Sequence, residues 1–160
     1  MKRILLIALF LLSLTACALA EDVVYEADGY RYTLDVQGCA TITRCPEDED
    51  TLILPETLSG HPVTGIGDSA LAYCDRLRTL HIPDGVIEIG DSVFRGSGGL
   101  TLTLSDANPA FRMTDGILYS RDGTRLIYCA NPAGITEYRV PDGVLSVTGG
   151  AFADNGTLRR

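Results

Sequence analysis

The chain has 160 residues, with 13 basic and 21 acidic side chains and a net charge of −8. That length suffices for one domain with its own apolar core. An acidic chain without a basic cluster argues against nucleic acid and anionic membrane surfaces as partners, because both attract cationic faces.

The N-terminus reads as a targeting segment. Lys2 and Arg3 precede Ile4 to Leu14, an apolar run that only Ser13 interrupts. The run is too short to span a bilayer comfortably and matches the core of a secretory signal. Residues 1–20 are therefore expected to be a signal peptide, and the protein to be extracellular or at the cell surface. Two processing routes fit. Ala18-Leu19-Ala20 before Glu21 is a small-x-small cleavage site, whereas Leu14-Thr15-Ala16-Cys17 resembles a bacterial lipobox, which would make Cys17 a lipid attachment residue. A lipid at Cys17 is the one membrane link expected. Without residues 1–20 the remaining chain holds eleven arginines, no lysine and all 21 acids, a charge of about −10.

Residues 21–53 read as an N-terminal β cap. Tyr30, Tyr32, Leu34 and Val36 alternate, as do Ala40 with Ile42 and Leu52 with Leu54, and Asp28-Gly29 and Gln37-Gly38 supply turns. A stack of repeats needs such a cap, since its terminal unit otherwise exposes an apolar face. Glu47-Asp48-Glu49-Asp50 reads as a solvated loop without the alternating ligands of a calcium loop. A straight strand would hold Cys39 and Cys45 about 20 Å apart, so a disulfide between them requires a turn.

From residue 54 onward one spacing recurs. Val63, Ile66, Leu71 and Leu77 are separated by 3, 5 and 6 residues; Val86, Ile89, Phe94 and Leu100 repeat those steps, as do Val144, Val147, Phe152 and Leu158. A short apolar frame with fixed gaps marks stacked repeats. The repeats are expected at about 54–81, 82–104 and 140–160. Pro55, Pro83 and Pro141 end the preceding strands, and Asp84-Gly85 and Asp142-Gly143 turn the chain. Residues 105–139 interrupt the register as an inserted β-hairpin. It starts at Asn108-Pro109-Ala110-Phe111 and sets Ile117 to Tyr119 against Leu126 to Tyr128 across Asp122-Gly123.

No catalytic, cofactor or metal site is expected. His61 sits in a Gly-His-Pro turn. Cys74 and Cys129 lie inside apolar runs and read as buried thiols. Cys74 with His81 lacks a third, orienting group. Cys39, Cys45 and a histidine lack the close paired spacing of a zinc site. Gly96-Ser97-Gly98-Gly99 lacks the lysine of a phosphate loop, and Asn155-Gly156-Thr157 has the form of a glycosylation sequon.

Residues 82–100, with Ile-Pro-Asp-Gly-Val, then Ile-Gly-Asp-Ser, Phe and Leu, resemble a BspA-type leucine-rich repeat of bacterial secreted and surface proteins. Residues 54–82 and 140–158 follow the same frame. The Asn-Pro-Ala-Phe, Asp-Gly-Ile-Leu-Tyr and Asp-Gly-Thr-Arg-Leu-Ile segments are similar to a hairpin that recurs in that family, so the resemblance covers roughly 27–160. It departs at Leu71, where Phe is usual, and at Thr148, where Gly67 and Gly90 follow Ile in the other repeats. The chain stops at Arg160 as a third strand should begin, which suggests a piece of a longer protein.

The resemblance implies a mainly β leucine-rich repeat solenoid. It would have short parallel strands, such as Leu77 to Ile82, and single helical turns in Asp68 to Tyr73 and Asp91 to Phe94. The N-terminal β cap and the inserted β-hairpin complete it. Frame residues would point inward. Arg78, Thr79, His81, Thr101 and Thr103, with Arg159 next along, would face outward as a binding face. The implied function is an exported or surface-attached module for a protein, matrix or envelope ligand, with adhesion as the specific form. The alternative is a structural spacer of a larger envelope protein.

Overall fold

A computed structural model describes residues 23–97, 99–130, 136–153, 156 and 158. The expected signal peptide, Cys17, Arg159 and the sequon residues Asn155 and Thr157 lie outside them. The chain runs through β1 (Tyr25–Ala27), β2 (Tyr30–Leu34), β3 (Ala40–Arg44), β4 (Thr51–Ile53), β5 (Thr57–Leu58), β6 (His61–Ile66), β7 (Thr79–Ile82), β8 (Glu88–Ile89), β9 (Thr101–Leu104), β10 (Phe111–Thr114), β11 (Ile117–Ser120), β12 (Arg125–Cys129) and β13 (Ser146–Val147). There is no helix among the described residues.

Local chemistry sets the hairpins. Asp28-Gly29, Ser59-Gly60 and Asp115-Gly116 each have positive φ at both residues, as a two-residue turn between twisted antiparallel strands requires. They join β1 to β2, β5 to β6 and β10 to β11, all antiparallel pairs. At the predicted Asp122-Gly123 turn, Asp122 Oδ1 accepts bonds from the Thr124 amide and from the Ser120 and Thr124 hydroxyls. The hairpin it closes has the expected facing strands, with Leu118 opposite Tyr128.

The first two repeats wind as coils, and each contributes a strand to parallel pairings on both sides. On one side β4, β7 and β9 lie side by side. On the other, β3, β6 and β8 are parallel neighbours, with Ile42 against Ile66 and Ile66 against Ile89. The frame residues of the first two repeats are all buried between these sheets. The third repeat differs. β13 pairs in parallel with β12 of the insert. Val144 and Phe152 are half-buried against Ile117, Tyr119, Leu126 and Cys129, and Val147 remains 46% exposed. The expected continuous column of inward frame residues therefore holds for two repeats and gives way in the third, because the insert's last strand has taken the position beside it.

The helical turns implied at Asp68 to Tyr73 and Asp91 to Phe94 are replaced by single hydrogen-bonded turns, Ala70 on Gly67 O, Ala72 on Ser69 O and Arg95 on Ser92 O. Ser69, Tyr73 and Ser92 have φ of +57°, +62° and +55°, a conformation that no right-handed helix contains. The cause is hydrogen bonding. The amides of Ser69, Leu71 and Tyr73 donate to Asp91 O, Val93 O and Arg95 O of the next coil. Alternate amides must point along the stack, so they cannot close a helical turn. Gly150, at φ +78°, fills the same corner position in the third repeat that Ser69 and Ser92 fill in the others. A bulky side chain at positive φ is strained by about 1 kcal/mol. Tyr73→Asn is therefore expected to raise stability by about 0.5–1 kcal/mol, since asparagine tolerates that conformation. Urea unfolding measures it; a loss would show that the Tyr73 ring, packed against Gly96, outweighs the strain.

Thr148 also finds its reason. A Cβ at Gly90 would lie 2.3 Å from Asp68 Oδ1 and 2.7 Å from the Asp68 nitrogen, because Asp68 Oδ1 accepts the Asp91 amide across the coils at 2.7 Å. At the third repeat Thr148 instead accepts a bond from Arg125 Nε, and Arg125 Nη2 reaches Asp91 at 3.3 Å.

Candidate binding face

The three-stranded sheet gives the stack a regular outer surface. Leu52, Leu80 and Leu102 are in register and point inward, all buried. Alternation then turns their neighbours out. Thr51, Thr79 and Thr101 form one row across the strands, and Ile53, His81 and Thr103 form the next. Adjacent strands lie about 4.8 Å apart, so each row spans about 10 Å. The expected residues Thr79, His81, Thr101 and Thr103 are thus brought together. Thr101 and Thr103 are exposed, while Thr79 and His81 are half-buried in the central strand.

His81 is held in place. Its Nδ1 lies 2.9 Å from Thr103 Oγ1, and Thr103 Oγ1 is 3.4 Å from Leu80 O. Arg78 is exposed at the mouth of β7, with its amide on Asp50 O and its carbonyl accepting the Thr101 amide. Beside it Arg76 pairs with Asp48 at 3.6 Å and Asp50 at 3.9 Å. Thr51 and Ile53 complete the face but were read as part of the cap. The signal for them is present: Thr-Leu-x-Ile/Leu occurs at 51, 79 and 101. Ile53 is 69% exposed, an apolar side chain set in a hydroxyl-rich surface.

This architecture decides the fold. Parallel strands on both sides of an apolar filling, one pair per coil, match solved leucine-rich repeat proteins. The chain has the leucine-rich repeat fold. A leucine rich cell surface protein of Faecalibacterium prausnitzii aligns with a TM-score of 0.56 and 24% identity over 85% of this chain. A leucine-rich repeat protein of Bacteroides capillosus aligns at 0.53 and 19% over 86%, and the T. pallidum leucine rich repeat protein at 0.56 and 20% over 84%. The chain spans 35% of the Faecalibacterium protein's length, 95% of the Bacteroides one and 68% of the T. pallidum one. No protein-family model matches the sequence, and no curated protein matches it.

Away from the face, the leucine-rich repeat domain carries a groove of about 680 Å³ where β3 meets the corner of the first repeat. Arg44, Cys45, Glu47, Cys74, Asp75 and Arg76 are among its lining residues. Cys45 and Cys74 are buried in its wall. Burial pushes the Cys45 thiol up to about 12, with the neighbouring Cys74 adding to it. Burial likewise raises Cys74 and Cys129. His61 is more than a surface turn residue: it is half-buried at the start of β6, with Nδ1 2.9 Å from Gly38 O. No group of three or more His, Cys, Asp or Glu positioned for a metal occurs among the described residues.

The thiols predict an alkaline limit. A group whose folded pKa is raised stabilises the fold fully below its unfolded value and loses that contribution as pH climbs toward the folded value. For Cys45 the window runs from 9.0 to about 12, and Cys74 and Cys129 act in the same direction. The urea midpoint should fall steadily across that window; a flat profile would mean the thiols are solvated.

Proposed function

We propose that this chain is an exported or surface-attached binding module of the BspA type, and that it contacts a protein ligand of a matrix or envelope through the outer face of β4, β7 and β9. The two ordered rows, with His81 at their centre, Ile53 on the edge strand and Arg78 at the margin, carry this reading. Such a surface is rigid before binding, so little ordering entropy opposes association. The cell-surface character of the Faecalibacterium neighbour supports the export reading. Cys17, if lipidated, would tether the module to a membrane.

The test is a binding screen of residues 21–160 against extracellular-matrix proteins and bacterial envelope fractions, with a C-terminal tag because no lysine is available for coupling. Arg78→Ala together with His81→Ala should weaken saturable binding at least about tenfold, as truncating anchor residues does, with the unfolding midpoint unchanged. Equal affinity in the double variant would move the site off this face. A cooperatively folded chain that binds nothing would favour the spacer role.

A further inference from the structure

We infer that Cys45 and Cys74, free thiols in this structure, are a paired oxidation site that an oxidant closes into a disulfide cross-linking the cap to the first repeat. The fold selects this pair among the thiols. Cys39 and Cys45 sit at opposite ends of β3, whose five residues intervene. That strand carries no turn, so it keeps them about 20 Å apart, beyond any disulfide. Cys129 packs in the second apolar cluster with Ile117, Tyr119, Leu126 and Ala151. Cys45 and Cys74 share the main cluster and line the same groove.

Backbone pairing brings the two together. The Cys45 amide donates to Ala70 O at 3.2 Å, which registers the end of β3 against the first corner. The chain then closes that corner over four residues and returns Cys74 to the groove wall. The thiols are near enough that charge on Cys74 acts on Cys45.

The chemistry is thiol–disulfide exchange with an oxidised small disulfide, such as oxidised glutathione. Cys74, the more exposed of the two, attacks one glutathione sulfur as its thiolate. An S–S bond forms to Cys74, the glutathione S–S bond breaks, and one glutathione leaves as thiolate. Cys45 thiolate then attacks Cys74 Sγ, forming the Cys45–Cys74 bond and expelling the second glutathione. Two protein thiols are oxidised and one glutathione disulfide is reduced. The two thiol protons end on the departing glutathiones. Thiolate is the reactive form, so the raised pKa values make the exchange slow near neutral pH and faster as pH rises. The bond closes a loop between neighbouring coils and removes freedom from the unfolded chain.

The reduced purified chain is incubated with excess oxidised glutathione, alkylated, unfolded and digested after both glutamate and arginine, so that Arg44 separates Cys39 from Cys45 and Glu56 separates Cys45 from Cys74. The thiol count is expected to fall by two, and the non-reducing map to join the Cys45 and Cys74 peptides. The thermal midpoint should rise, and dithiothreitol should reverse the rise. Cys74→Ala should show neither the linked peptide nor the shift. An unchanged thiol count, a Cys74–glutathione adduct that never resolves, or a linkage to Cys39 or Cys129 would overturn the pairing. The deciding map is read on the unsubstituted chain, so it does not depend on how the variant folds.

Discussion

Replacing Asn108 with alanine is expected to lower stability by about 3 kcal/mol or more. The side chain is buried and makes four hydrogen bonds. Its Nδ2 donates to Pro83 O and Val86 O, each at 2.9 Å, and its Oδ1 accepts from the Ala110 and Phe111 amides at the same distance. Truncation strands the Val86 carbonyl and two amides in the interior and leaves Pro83 O only the Val86 amide at 3.4 Å, and each unsatisfied group costs about 1–3 kcal/mol. The bonds also explain how the insert is held. They fasten its first turn to the corner that opens the second coil, so losing them loosens β10 to β12 together. Asn108→Asp separates the donor from the acceptor half. A carboxylate still accepts from Ala110 and Phe111 but faces two carbonyls, so the variant should be destabilised at neutral pH. Its folded pKa is then raised, so it should recover part of that loss on acidification. Urea unfolding of the two variants checks this; losses below about 1 kcal/mol would contradict the bonding.

Phe94→Ala should cost about 3–5 kcal/mol, the range for emptying a large buried aromatic site. Phe94 is buried between the second coil and the insert, with its ring centroid 4.8 Å from that of Tyr128. The cost therefore has two parts, a cavity in the apolar filling and a lost ring pair of about 0.5–1.5 kcal/mol. Phe152→Ala, at the equivalent frame position of the third repeat, should cost distinctly less. Its ring is half-buried and packs 5.6 Å from Tyr138. Equal losses at Phe94 and Phe152 would contradict the break in the column at β13.

These two residues mark what could be read from the sequence. Phe94 belongs to the fixed apolar spacing, and in the first two repeats that spacing reports burial directly: the residues at 3, 5 and 6 steps face one common filling. The Asp-Gly hairpin follows from turn chemistry, whereas strand direction and the outward Thr79, His81, Thr101 and Thr103 were legible only through the resemblance to leucine-rich repeats. Asn108 follows from none of these. Its importance comes from four partners, two of them more than twenty residues away, and no local pattern encodes such convergence. Leu71 stands where the family usually has Phe. The core beside it is completed by Cys74, while Tyr73 points to solvent because the corner's amides bond along the stack. The helical turns that the resemblance implied do not form, because the neighbouring coil captures the alternate amides of the corner. Thr51 and Ile53 fall outside the apolar frame because it opens at Val63 in β6, two strands past the first copy of Thr-Leu-x-Ile/Leu in β4.

The binding face is tested most directly by hydroxyl-radical footprinting of the chain, alone and saturated with whichever matrix or envelope component the screen retains. Side-chain oxidation reports exposure residue by residue, and the fold offers internal controls in Tyr73 at 66% and Leu145 at 83% exposure, both off the face. Bound ligand should protect Ile53 and His81 while Tyr73 and Leu145 are labelled as in the free chain. Undiminished oxidation of Ile53 and His81, with protection falling on Tyr73 or Leu145, would place binding elsewhere and contradict the assignment of the β4, β7 and β9 surface.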